Sequence, residues 1–177
     1  MCAIEVTPVV TTERLILRGP VRGDAAALAH LANDFNVAAQ TLAMSNPYDL
    51  ADAEAYLDGV MGLDWSKSAE FVIEHRSFGF VGLVSLRPNI HDRTELSVWV
   101  GRPYWNRGYA TEGVRAALKW IKRDWRKHLV VAGHFSDNRA AGQVMVKAGF
   151  LYTGDVEMRP CLARGREVPT RMMVWLA

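Results

Sequence analysis

The 177-residue chain contains only two cysteines, Cys2 and Cys161, which lie near opposite ends. So few thiols exclude a disulfide scaffold and predict reduced side chains in a cytoplasmic setting. The sequence has no CxxC, no HExxH and no cluster of His and Cys, and its five histidines are scattered. No metal site is expected from such spacing. There is no run of 18 apolar residues, so neither a membrane span nor a membrane partner is expected. The segment from Met1 to Thr12 lacks a basic stretch and contains Glu5 and Pro8, which does not suit a signal peptide. Repeats and low-complexity linkers are absent too. Half of the residues are apolar and 23% are charged, which excludes a disordered or collagen-like chain. The length predicts one domain over residues 1–177.

The net charge of +2 is unevenly spread. Residues 1–92 carry a net −6 and residues 93–177 a net +8. Between Gly23 and Ser66 stand seven acids and no Lys or Arg: Asp24, Asp34, Asp49, Asp52, Glu54, Asp58 and Asp64. Either the two halves meet ligands of opposite charge, or they are two differently solvated faces. A nucleic-acid partner is not expected of the basic half, because no aromatic RNA-binding motif or helix-turn-helix pattern accompanies it.

Hydrophobic periodicity orders the chain. Thr12–Arg18 (TERLILR) reads as a first strand, ended by Gly19-Pro20. Asp24 is the expected cap of a helix to about Asn33, and Asp49 of a second helix carrying Leu50, Ala53, Leu57, Val60 and Met61. Three strands follow, at 70–75, 80–86 and 93–100, close enough for an antiparallel meander. Gly108 to Trp125 is a strongly amphipathic helix, and 128–135 an apolar strand. Ser136 or Asp137 is the expected cap of the next helix, with Gly149 past its end. Phe150–Val156 and Arg171–Leu176 read as a last strand pair, joined by a basic loop, 159–166. Three consecutive strands without crossover helices make this a mixed α/β domain of α+β type, not a doubly wound one.

The chemistry concentrates between Glu95 and Ala117. A strand (ELSVWV) runs into a loop rich in Gly, Arg and aromatics (GRPYWNRGYAT), and a long helix opens directly from it. Unpaired N–H groups and the positive end of the macrodipole at a helix start favour an anion. Small Gly108 and Ala110 let a ligand approach, and Arg102 and Arg107 add charge. The loop is neither GxxxxGK[ST] nor GxGxxG. It is therefore a candidate phosphate or pyrophosphate site, or else a helix cap with an incidental arginine pair.

The stretch YWNRGYATEGVRAAL resembles the acetyl-CoA loop of the GNAT N-acetyltransferases, most nearly the branch of ribosomal-protein alanine acetyltransferases. TERLILR, FVGLVSL, ELSVWV and DNRAAGQVMVKAGF agree with that family in order and spacing, over about residues 12–176. The resemblance implies a central, mostly antiparallel, twisted sheet of six to seven strands flanked by about four helices. It implies acetyl-CoA as cofactor, without a metal, and an amine acceptor. The backbone of Val98, Trp99 and Val100 would pair with the pantetheine arm, and the turn of Asn106, Arg107, Gly108, Tyr109, Ala110 and Thr111 would hold the pyrophosphate. Asn138 matches the Asn that contacts the cofactor arm, and it also suits a helix cap. Dimers are common in the family.

Acetyl transfer to an amine needs a base for the amine proton and a donor for the developing oxyanion, such as an N–H of the Val98–Val100 strand. Glu95 is the first candidate base; the alternative is a surface carboxylate paired with Arg93 or a neighbour. His134 either relays protons or is structural. Glu112 is better read as complementing the macrodipole. Where relatives carry Ser or Tyr, this chain has Ala141 and Met145, so a side-chain acid for the leaving thiolate is missing there; Tyr109 and Tyr152 are spare candidates. Phe35, Met44, Tyr48 and Trp65 either line an acceptor pocket or pack helices onto the sheet. The acidic stretch suggests a cationic acceptor. Missing acids also leave open a catalytically idle CoA-binding module.

Overall fold

A computed structural model describes residues 7–177. Cys2 and the first half of the Met1–Thr12 segment lie outside them. Two short strands, β1 (Val10–Thr11) and β2 (Leu15–Arg18), lead into helices α1 (Ala25–Ala32), α2 (Phe35–Ala38) and α3 (Leu50–Met61). Strands β3 (Ala69–His75), β4 (Gly79–Pro88) and β5 (Thr94–Val100) form the expected meander. Then come α4 (Tyr109–Asp124), β6 (Leu129–Phe135), α5 (Arg139–Ala148), β7 (Leu151–Cys161) and β8 (Arg166–Leu176). The strands form one sheet in the order β1-β2-β3-β4-β5-β6-β8-β7. All neighbours are antiparallel except β5 and β6. The count exceeds the expected six to seven strands and four helices because of two-residue β1 and four-residue α2, both too short for a periodic signal.

Each face of the sheet has its own core. On one face α4 and α5 bury Val114, Ala117, Ile121 and Met145 against Leu15, Leu17, Phe71, Val84 and Leu96. On the other, α1 and α3 bury Leu28, Leu31, Ala53 and Leu57 against Val72, Phe80 and Leu83. Each fully buried Leu, Ile, Val, Phe or Met among them contributes about 1.5–3 kcal/mol. Asp49 caps α3 as expected, in a reciprocal box with Asp52. Of the expected stripe only Ala53, Leu57 and Val60 are buried, while Leu50 and Met61 at the helix ends are exposed.

Other boundaries differ from expectation for stated reasons. The TERLILR segment is not one strand: Thr12 turns back onto Leu15, its N–H donating to the Leu15 carbonyl over 2.9 Å. Asp24 does not cap α1 with its side chain, because Arg18 holds both carboxylate oxygens at 2.9 and 2.8 Å. Asp137 does not cap α5, since Arg164 engages it; Asn138 is the cap and accepts from the Ala141 N–H at 3.1 Å. Gly149 ends that helix at φ 102°. The proposed basic loop 159–166 is largely strand, for β7 and β8 run to within a turn of each other at 162–165.

Candidate functional site

The opening of α4 is shaped from outside the helix. After β5 the Trp105 Nε1–H donates to the Val100 carbonyl at 2.7 Å, and the chain passes Asn106 at φ 60° and Gly108 at φ 81°. Gly108 reaches this left-handed region without steric cost. The first bond of the helix runs from the Glu112 N–H to the Gly108 carbonyl at 3.0 Å, so the N–H groups of Tyr109, Ala110 and Thr111 precede it. Glu112 accepts from the Thr12 hydroxyl at 2.6 Å, from the Arg14 N–H at 3.1 Å and from Arg14 Nε at 2.7 Å. Arg14 also donates to the Arg107 carbonyl at 3.0 Å and lies over the Tyr109 ring. Burial alone would raise the Glu112 pKa, but the hydrogen bonds from Thr12 and Arg14 outweigh it and hold the carboxyl below the usual range. Thr12 and Arg14 thus clamp the helix start, a role that their place in TERLILR did not signal.

Strands β5 and β6 pair at two positions only, Glu95 with Val131 and Leu96 with Ala132. Beyond them the strands share no register, and a cleft of about 830 Å³ opens between Ser97–Val100 and Gly133–Phe135. Pleating gives the cleft two walls. Val98 and Val100 lie on the face of α4 and α5, which adds Tyr109, Ala110, Asn138 and Met145. Trp99 lies on the face of α1 and α3, and alternation puts Ser97 and Glu95 there with it. Their partners across β4 are Leu83, Ser85 and Arg87. Met44, Tyr48 and Tyr56 complete this second wall.

Most expected site residues come together in the cleft: Val98, Trp99, Val100, Asn106, Gly108, Tyr109, Ala110, Thr111, Asn138, Glu95, His134, Met44 and Tyr48 line it. Others do not. The Arg102 side chain faces Asp34 at 3.6 Å, and the Arg107 guanidinium lies 5.9 Å from the centre of the Phe78 ring. Neither arginine lines the cleft. Phe35 is an exposed residue at the start of α2. Trp65 packs edge-on to Phe71 and Trp120 in the core. The acidic stretch also stays out of the cleft. Asp24 binds Arg18, Asp34 caps α2, Asp49 and Asp52 cap α3, Asp58 pairs with Arg22, and Asp64 holds Ser66. Six of the seven carboxylates thus serve caps, a turn and ion pairs, and none of the seven lines the cleft.

Three groups, one half-buried and two buried, set the electrostatics. Glu95 pairs with Arg159, not Arg93, and Asn89 Nδ2 reaches it at 3.4 Å. Burial would lower the Arg159 pKa, but hydrogen bonds to Glu95 and Glu157 prevail and raise it. His134 is buried, with Nδ1 2.8 Å from the Phe135 carbonyl and Nε2 3.0 Å from the Tyr152 hydroxyl. A carbonyl only accepts, so Nδ1 carries a hydrogen and donates it to Phe135, while Nε2 and the Tyr152 hydroxyl share the second bond. Gly142 makes room for this pair: a Cβ there would stand 2.7 Å from the Tyr152 oxygen and 2.9 Å from His134 Nε2. Met145, where the family resemblance implies an acid, is buried and apolar. The third group, Glu70, was not singled out from the sequence. It is fully buried and accepts from Tyr56 at 2.6 Å, Ser85 at 2.8 Å and Arg87 at 3.0 Å. Burial, then Glu70, raises the Tyr56 pKa, and burial, then Asp52, pushes that of Tyr48 up to about 12.

Solved structures share this fold. The GNAT-family acetyltransferase from Bacillus anthracis superposes with a TM-score of 0.81 at 19% identity, covering 96% of this chain and 98% of that one. Spermidine N-acetyltransferase from Vibrio cholerae, solved with CoA and spermine, gives 0.75 at 22% identity over 93% and 96%. The ribosomal-protein-S5-alanine acetyltransferase from Vibrio fischeri gives 0.80 at 15% identity over 96% of each. Comparison with curated proteins gave no match. The acetyltransferase (GNAT) domain model matches residues 14–151, and the chain belongs to that family. It is an N-acetyltransferase by class.

Proposed function

We propose that the protein transfers the acetyl group of acetyl-CoA to a primary amine by direct attack in a ternary complex. The observation that carries this reading is the split between β5 and β6, which opens the sheet to both faces with the α4 N-terminus beside it. The fit to acetyl-CoA is chemical. Tyr109, Ala110 and Thr111 offer N–H groups to a pyrophosphate, and Val98–Val100 offer a strand edge that β6 leaves free. Asn138 spends its oxygen on the Ala141 N–H and keeps its Nδ2 donors for the pantetheine arm. Acetyl-CoA supplies the activated acyl group, a thioester whose carbon passes to the amine nitrogen while sulfur leaves as thiolate.

On the opposite wall Glu95 takes the amine proton, directly or through a water. Arg159 fixes its carboxylate at the narrow end of the cleft. A backbone N–H of Val98–Val100 faces the developing oxyanion. His134 serves as a positioning residue, because both its ring nitrogens already have partners within the fold. A thiolate with an ordinary pKa of about 8.5 leaves without an acid at Ala141 or Met145. Those same two residues favour a second reading, an idle CoA-binding module. A screen of amines for thiol release decides: turnover of at least one amine is expected, whereas CoA binding without release on any amine selects the idle module.

A further inference from the structure

Glu70 raises a question of cost. A carboxylate removed from water is strongly destabilising unless its partners compensate. Glu70 is fully buried, and all three of its donors, Tyr56, Ser85 and Arg87, line the second wall of the cleft. The charged donor among them is itself half-exposed: the Arg87 side chain is 44% accessible. Arg87 spends Nη2 on Glu70, the Tyr56 hydroxyl stands beside the guanidinium, and among the described residues no other acceptor meets it. Glu95 stands opposite Arg87 in the β4–β5 register, yet its carboxylate is taken by Arg159. No acid of the 24–64 stretch enters the cleft. The fold therefore anchors Arg87 at the acceptor wall by a buried counter-charge and leaves part of its planar donor set open. Arginine held in this way binds a carboxylate or similar oxyanion with little entropy still to lose.

We infer that Arg87, held by Glu70, is a specificity residue that binds an anionic group on the acceptor, so that the substrate is an amine carrying a carboxylate or another compact oxyanion. The inference rests on the proposed acetyl transfer and names its acceptor class. It places amines without an anion, polyamines included, among the poor substrates, because nothing on them satisfies the open guanidinium.

The test uses matched amines: amino acids and dipeptides against their amides and decarboxylated counterparts, with spermidine as the cationic comparison, read by thiol release. The carboxylate member should show a kcat/KM at least tenfold higher, through KM. Removing Arg87 alone would strand Glu70, so the variant is Glu70→Gln with Arg87→Met, which deletes both charges; its thermal midpoint checks folding. In it the preference should fall to near unity, and Arg87→Lys should lie between. A purely structural ion pair would change stability without changing this ratio. Equal or better turnover of the amide, the decarboxylated amine or spermidine by the wild type overturns the inference, as does a ratio unchanged in the double variant. If CoA binds but no amine turns over, it is the acetyl-transfer reading that fails. Calorimetry of the carboxylates with CoA present then decides: tighter binding to the wild type than to the double variant supports Arg87, and no difference overturns it.

Discussion

The two walls of the cleft are built by different means. The wall on the side of α4 and α5 is made of backbone: a strand edge at Val98–Val100, the helix start at Tyr109–Thr111 and a cap at Asn138. The wall on the side of α1 and α3 is made of side-chain ion pairs, Glu70 with Arg87 and Glu95 with Arg159. Backbone groups serve one fixed ligand whatever the neighbouring side chains are. Side chains can be exchanged without altering the fold, so the second wall is where acceptor choice resides.

The sharpest way to break the second wall alone is Glu95→Gln. As the base, its loss should lower kcat by about a hundredfold, at the low end of general-base contributions. The Kd for CoA should stay within about twofold. Unchanged turnover would take Glu95 out of the reaction and leave it as a partner of Arg159.

The same division explains what could be read from the sequence. The backbone wall was legible because its parts are neighbours in the chain: a strand, a Gly-containing loop and an amphipathic helix within Glu95–Ala117. Asn138 likewise lies in the short turn after β6. The side-chain wall was not, since Arg159 is 64 residues from Glu95 and Arg87 is 17 from Glu70. Arg14 is 98 residues from Glu112, so the clamp on the helix start stayed hidden as well. Charge counting is coarse for a related reason. Six of the seven acids between Gly23 and Ser66 enter helix caps, a turn or ion pairs, and only side-chain positions tell such roles from a ligand contact. Phe35 and Trp65 show the same limit, one exposed on a short helix and the other in the core.

On the first wall, the largest effect should follow from unfastening the helix start. Glu112→Gln weakens the bonds from Thr12 and Arg14 and should cost about 2 kcal/mol of stability, as charge-assisted hydrogen bonds do. The carboxyl is held below its ordinary range, so its contribution is present above roughly pH 4, the unfolded value, and is lost as pH falls through the folded one. Denaturant midpoints of the two proteins should therefore differ at pH 7 and converge in acid. A constant gap down to the lowest pH at which both fold would deny the ionised carboxylate this role.

Charge at the open N–H groups separates fold from ligand. Ala110→Glu puts an acid in the first turn of α4, where the macrodipole favours it by about 0.3–1 kcal/mol. The helix should be no less stable. A pyrophosphate would meet a like charge, and CoA should bind at least tenfold more weakly, about 1.4 kcal/mol, with the defect shrinking in high salt. Unaltered CoA affinity would move the phosphates away from Tyr109–Thr111.

The smallest effect is expected at a residue that the sequence marked as a phosphate ligand. The Arg107 carbonyl is held by Arg14, and its guanidinium lies over Phe78, away from the residues that line the cleft. The backbone at this turn shapes the anion site, and Arg107→Ala leaves that backbone in place. Its exposed charge adds a screened, long-range attraction for CoA and little more. The Kd for CoA should rise by no more than about threefold at physiological salt. A tenfold or greater loss would mean that Arg107 leaves Phe78 to grip the phosphates, and the first wall would then depend on side chains as the second does.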